Sequence, residues 1–212
     1  MGVTKNIIVV IGELLWDVLP DKTILGGAPT NLAYRLNEME EIPCLISRIG
    51  NDILGEKAKA KINELDLDTS LIQVDESYPT GTVQVSFDDS RNPTYLIVPN
   101  VAYDYIEFNS SIQSIAEKAN LIAFGTLSQR SPKTRTTVRK ILNISSKAIK
   151  FLDINLRKAC YNFEIISQSL RYADILKINH HELFELRSIL NLLCEDIPSL
   201  AKEISDKNKI QT

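Results

Sequence analysis

Cysteine is scarce in this chain. Only Cys44, Cys160 and Cys194 occur, with no CxxC pair and no histidine near them. That count excludes a disulfide scaffold and a cysteine metal site, and an odd set of thiols without a leader-like N-terminus fits reduced cysteines and a cytoplasmic location. Long hydrophobic runs are missing too. The longest, Ile7 to Ile11, is far below the roughly 20 residues of a bilayer-spanning helix, so no membrane partner is expected. There is no surplus of positive charge: 24 Lys and Arg stand against 27 Asp and Glu, for a net charge of −3. Nucleic acid is therefore not expected, because phosphate-backbone binders concentrate basic residues on one face. The patterns GxxxxGK[ST], GxGxxG and GxSxG are all absent, which excludes the standard nucleotide cradle, the dinucleotide fingerprint of nicotinamide enzymes and the serine-hydrolase elbow. No fixed-period repeat or low-complexity linker is present. What remains is 212 residues at 44% apolar composition, enough for one domain with a small accessory element and a small-molecule ligand.

The order of elements is legible from periodicity. Asn6 to Gly12, Pro43 to Gly50, Ala119 to Gly125, Ala148 to Asp153 and Ala173 to Asn179 read as buried strands. Between them, Ala28 to Met39, Asp52 to Leu65, Ser110 to Ala119, Ser131 to Asn143 and Phe163 to Arg171 have helical spacing. Alternation of the two predicts an α/β architecture built on a doubly wound parallel sheet. Two segments break that rhythm, at about 13–25 and 70–100. Thr82 to Phe87 alternates strictly and Pro93 to Pro99 follows as a second short strand, which predicts an antiparallel flap acting as a lid.

The most informative stretch is Gly26-Gly27-Ala28-Pro29-Thr30-Asn31. A glycine pair lets a main chain approach a ligand without a Cβ in the way, and the helix that follows starts with unpaired N–H groups suited to oxygen-rich ligands. Asn31 offers both a donor and an acceptor. The alternative is a glycine turn capping an ordinary helix.

Other polar residues fall at the carboxyl ends of the predicted strands, where open parallel sheets bind ligands. Asp17 suits two sugar hydroxyls, or caps a turn. Asp52 with Gly55 reads as a helix N-cap. Arg157, after Asp153 and Asn155, orients a ligand or closes a loop salt bridge. Asn179-x-x-Glu182 stands one helical turn apart, which fits magnesium held through water or, equally, a capping box. The adjacent His180 and His181 point to different helix faces and read as solvated.

Six motifs taken together carry a resemblance. These are Gly12-Glu13 with Asp17, Gly26-Gly27-Ala28-Pro29-x-Asn31, Arg48-Ile49-Gly50-x-Asp52-x-x-Gly55, Tyr78-Pro79-Thr80-Gly81, Asp153-x-Asn155-x-Arg157 and Lys177-x-Asn179-x-x-Glu182. In this order the chain resembles the ribokinase-type (PfkB) carbohydrate kinases, fructokinases most of all. The resemblance implies a ribokinase-like, Rossmann-like core with a β-lid, ATP and Mg2+ as cofactors, and phosphorylation of a sugar hydroxyl, D-fructose to fructose 6-phosphate. Ribokinase, 2-keto-3-deoxygluconate kinase, nucleoside kinase and a non-catalytic sugar-binding relative are the alternatives. By the same likeness Asp17, Gly26, Gly27, Asn31, Tyr95, Tyr103 and Arg157 bind substrate, Asn179 and Glu182 serve the nucleotide phosphate and hydrated magnesium, and the lid permits a homodimer. Family members continue into a Gly-Ala-Gly-Asp-type segment bearing the anion hole and general base. Residues 1–212 are therefore expected to be the N-terminal part of such a domain, with no catalytic base before Thr212 and weak activity alone.

Overall fold

The computed structural model describes residues 6–87 and 93–210. In chain order the elements are β1 (Ile7–Ile11), β2 (Leu15–Val18), β3 (Thr23–Gly26), α1 (Ala28–Glu38), β4 (Ile42–Gly50), α2 (Ile53–Glu64), β5 (Ile72–Asp75), β6 (Gly81–Phe87) and β7 (Pro93–Ile97). They continue with α3 (Ser110–Ala116), β8 (Leu121–Gly125), α4 (Pro132–Ile144), β9 (Ile149–Asp153), α5 (Phe163–Tyr172), β10 (Ile175–Lys177), α6 (His180–Leu190) and α7 (Ile197–Asn208). Short 3-10 turns occupy Ala102–Tyr105 and Leu127–Arg130.

The main sheet has the order β10-β9-β8-β1-β4-β5, and every pairing in it is parallel. Its central strand explains why the apolar run Ile7 to Ile11 has no polar gaps. Val9 and Ile11 enter one core with α3, α4, α5 and α6, while Ile8 and Val10 enter another with α1 and α2. A strand covered on both faces has no use for alternation. The chain runs outward from β1 in both directions, through β4 to β5 and through β8 and β9 to β10. The strand order therefore reverses between β1 and β8, and such a reversal opens a crevice at the carboxyl ends of the strands.

The second sheet has the order β3-β2-β6-β7. It differs from the expected flap in two respects. β2 pairs with β6 in parallel, so the lid sheet is mixed. Those strands are joined by a long excursion through the main sheet and not by a hairpin turn, and only a long connection permits parallel pairing. Within the expected lid segment, Ile72–Asp75 instead forms β5 at the edge of the main sheet, beside β4. Residues 88–92 of that segment lie outside the described residues.

Two buried joints fix the lid. At the start of β6, Thr80 N donates to Asp52 Oδ2 at 2.8 Å and Thr80 Oγ1 donates to Asp52 Oδ1 at 2.7 Å. The same Oδ1 accepts from Gly55 N, so Asp52 caps α2 as its sequence position predicts. Burial alone would raise the Asp52 pKa; the hydrogen bonds from Thr80 and Gly55 outweigh it and hold the carboxylate below its ordinary value. Beyond β7, Arg130 clamps Asp104 with Nε to Oδ1 and Nη2 to Oδ2, both at 2.8 Å, and donates to Val98 O at 2.7 Å. Both side chains are largely buried. Removing one member of such a pair strands the other charge, at a cost of roughly 3–5 kcal/mol. Arg130→Ala is expected to lose about 3 kcal/mol of unfolding free energy in urea. Lys177→Ala, at the more exposed Lys177–Asp153 pair, is expected to lose less than about 1 kcal/mol.

Candidate functional site

The site is assembled by the turn between the lid and α1. Gly26 ends β3 in register with Leu15, and Asp17 lies across from Ile24 on the same strand pair. A Cβ at residue 26 would lie 2.6 Å from Asp17 Oδ2, so glycine is what admits the carboxylate. Gly27 is the N-cap of α1 with φ 107°, a backbone that L side chains rarely adopt, and a Cβ there would collide with the Glu13 carbonyl. The glycine pair thus has two separate tasks, one toward Asp17 and one toward Glu13.

Glu13 takes the capping role that glycine cannot. Its Oε1 accepts from Ala28 N at 3.3 Å, which satisfies the first free amide of α1. Pro29 follows in the first turn, where its missing N–H costs nothing. Burial pushes the Glu13 carboxyl up to about 7, opposed by its backbone hydrogen bonds and by the charge of Arg157, with Asp153 adding to the rise. Burial likewise raises Asp17, and Arg157 again opposes the shift. Arg157 is exposed and makes no ion pair among the described residues, so its charge is free to act on both carboxyl groups.

A crevice opens at the switch point, lined by Glu13, Ala28, Pro29, Gly125, Asp153 and Asn155 over an apolar floor of Val10, Ala123 and Phe124. Asn155 holds a left-handed backbone, φ 40°, and after it Leu156 N donates to Glu182 Oε1 at 3.0 Å. Glu182 Oε2 accepts from Asn179 N, and Asn179 Oδ1 accepts from Glu182 N. The pair forms the capping box of α6 and ties that helix to the crevice loop.

The residues expected from sequence are distributed as follows. Asp17 and Gly26 meet, Gly27 follows as the cap of α1 against Glu13, and Arg157 is in electrostatic range of Asp17; none of these four is among the residues lining the crevice. Asn31 sits exposed in the first turn of α1, with its amide N–H bonded to Gly27 O, and is not among the residues lining the crevice. Tyr103 is fully buried under the lid, while Tyr95 is 62% exposed on the edge strand β7. His180 and His181 are exposed at the start of α6. Glu13, Asp153 and Asn155 line the crevice although the motif reading gives them no ligand role. For Glu13 the available signal was a carboxylate placed directly after the glycine that closes β1.

A carboxyl whose pKa rises on folding is protonated in the folded chain while it is already ionised in the unfolded one. Between about pH 4.5 and 7 the folded state therefore holds the extra proton, and stability declines as pH rises through that window. The size is of order 3 kcal/mol. Thermal unfolding is expected to show a midpoint that falls from pH 5 to pH 8, and Glu13→Gln is expected to flatten that slope.

Comparison with known proteins gives the family and the fold. The pfkB family carbohydrate kinases match residues 9–211. A sugar kinase of Pyrococcus horikoshii is 29% identical over an alignment of 206 positions that covers 89% of this chain and 66% of that protein. Its structure in complex with ATP superposes with a TM-score of 0.76, covering 85% of this chain and 66% of that one. A fructokinase of Escherichia coli is 25% identical over 92% of this chain and 66% of its own length. The fold is shared with a fructokinase of Xylella fastidiosa with bound ATP, at a TM-score of 0.81 and 20% identity over 96% of this chain and 66% of that one. The chain thus spans about two thirds of the length of these relatives. A match reaching from β1 to the last described helix makes this chain a member of the pfkB carbohydrate kinase family.

Proposed function

We propose that this chain carries the sugar-binding part of an ATP-dependent sugar kinase that converts D-fructose to fructose 6-phosphate. The observation that carries the reading is the contact between Asp17 and Gly26 at the turn that leads into α1, whose first residues Ala28 and Pro29 line the switch-point crevice. An ionised carboxylate accepts hydrogen bonds from two neighbouring hydroxyls of a polyol, and charge-assisted bonds of that kind are the stronger class. Asp17 and Gly26 grip the sugar from the lid side. Gly27 and Asn31 approach it from the start of α1. Arg157 opposes the rise that burial gives the Asp17 carboxyl and contacts the ligand, while Tyr103 and Tyr95 belong to the lid wall. In the transfer itself, the sugar hydroxyl oxygen bonds to the terminal phosphorus of ATP, the bond from that phosphorus to ADP breaks, and the hydroxyl proton is released to water. Such reactions depend on positioning and on stabilising charge.

The α6 cap suits the nucleotide end. Glu182 is half-buried and held by Asn179 N and Leu156 N. Among the described residues no group of three or more His, Cys, Asp or Glu is placed to hold a metal directly. This donor set fits Mg2+ kept largely in its own water shell, with Glu182 reached through water and the nucleotide phosphates completing the site. Bound there, magnesium supplies neutralisation of phosphate charge. The ATP complex of the Pyrococcus relative supports the nucleotide reading. A homodimer through the lid belongs to the same proposal, supported by the edge strand β7 with Tyr95 and Leu96 exposed.

Isothermal titration with D-fructose and a panel of other sugars tests the reading. Fructose is expected to bind most tightly, and Asp17→Asn to weaken it at least tenfold with the melting midpoint unchanged. Equal binding by the variant would contradict the assignment. Sedimentation is expected to give a dimer that Leu96→Lys converts to a monomer; a wild-type monomer would sink that part.

A further inference from the structure

Three buried side-chain oxygens around residues 12–14 have no hydrogen-bond partner: Glu13 Oε2, Ser128 Oγ and Tyr103 Oη. Glu13 is 2% exposed, and Ser128 and Tyr103 are fully buried. Folded interiors leave few polar atoms unpaired, and an unpaired carboxyl oxygen on a residue of the crevice wall points to an occupant. The three come from separate parts of the chain. Glu13 follows β1, Ser128 follows β8 in the turn Leu127–Arg130, and Tyr103 lies in the turn Ala102–Tyr105 after the lid. Ser128 and the Tyr103 ring nevertheless each pack beside the segment that holds Glu13, near Gly12 and Leu14 respectively. A Cβ at residue 12 would lie 3.5 Å from Ser128 Oγ, and one at residue 81 would touch the Tyr103 ring at 2.5 Å and lie 3.2 Å from Leu14 O. The Tyr103 phenol also lies within electrostatic range of Glu13. Glu13 itself forms part of the crevice wall.

We infer that Glu13, with Ser128 beside it, is a specificity-determining contact for a sugar hydroxyl, separate from the contact at Asp17. The inference rests on the sugar-binding reading above. A hydroxyl both donates and accepts, so it satisfies a carboxylate oxygen and a serine hydroxyl together. An apolar ligand would leave both oxygens unpaired. An anion would oppose the ionisation of this carboxyl, and a metal ion would find one carboxyl group with the Arg157 cation in range. Glu13 Oε1 is already held by Ala28 N, which leaves Oε2 fixed in place before any ligand arrives. Preorganisation of this kind costs no reordering on binding.

The contact carries a proton signature. In the empty chain the carboxyl is poised near neutrality by burial. The charged and titratable groups facing it are Arg157, which favours the ionised form, Asp153, which opposes it, and Tyr103, whose phenol burial keeps neutral. A hydroxyl donating to Oε2 favours the carboxylate, so fructose binding at pH 7 releases a proton and affinity rises from pH 6 to pH 8.

Titration calorimetry of the full chain with D-fructose, in buffers of different ionisation enthalpy, reads this directly. The wild type is expected to show buffer-dependent heats. Glu13→Gln is expected to bind at least tenfold more weakly, with heats independent of buffer and affinity independent of pH. Ser128→Ala is expected to lose several-fold in affinity and keep the proton release. If fructose binds both wild type and Glu13→Gln equally and without proton release, the occupant is ordered water and the inference fails while the sugar reading stands. If no sugar of the panel binds the wild type, both fail. Should Glu13→Gln not fold, unchanged affinity in Ser128→Ala overturns the inference.

Discussion

A carboxylate oxygen occupies the space where residue 26 would carry its side chain. That constraint organises the site. With Asp17 Oδ2 2.6 Å from the Cβ position of Gly26, any larger residue would expel the carboxylate or part β2 from β3. The next residue has a different restriction, since the positive φ of Gly27 is what turns the lid into α1 beside the Glu13 carbonyl. Two glycines therefore place two carboxyl groups near one helix start. The placement matters because burial raises both acids, and the exposed Arg157 counters the shift at each.

The rest of the fold holds that turn in register. At one end of the lid, Asp52 receives Thr80 and Gly55 and so joins the start of β6 to the cap of α2. Trp16 adds a tie from β2, its Nε1 donating to Leu54 O at 3.0 Å. At the other end, the Arg130–Asp104 clamp fastens the segment after β7 to the turn that follows β8. The lid is thus anchored on both sides of the sheet's switch point. Its outer strand β7 is less restrained and shows Tyr95 and Leu96 to solvent.

Local patterning made much of this legible. The run Ile7 to Ile11 lacks polar gaps because both its faces are covered, and the same logic located β4, β8 and β9. Gly26-Gly27 before a helical period marked the start of α1, and Asp52 three residues before Gly55 marked the cap of α2. What was not legible depends on partners distant in sequence. Ile72–Asp75 is too short to show whether it joins the lid or the main sheet, and its pairing with β4 decides that. The parallel contact of β2 with β6 depends on a connection of more than 60 residues, which no local period reports. The Asp52–Thr80 joint spans 28 residues. Glu13 was visible as a residue of the motif Gly12-Glu13, but its burial and its bond to Ala28 N exist only once β1 and α1 have packed. The pair Asn179 and Glu182 shows the opposite case, where spacing announced a capping box and the reciprocal bonds are present.

The central claim is that Asp17, seated against Gly26, receives the hydroxyls of a monosaccharide at the switch point of the sheet. A crystal structure of the chain grown with D-fructose tests it most directly. The account predicts sugar density within hydrogen-bonding distance of both Asp17 carboxylate oxygens. A well-ordered sugar bound elsewhere, with Asp17 facing only water, would contradict it.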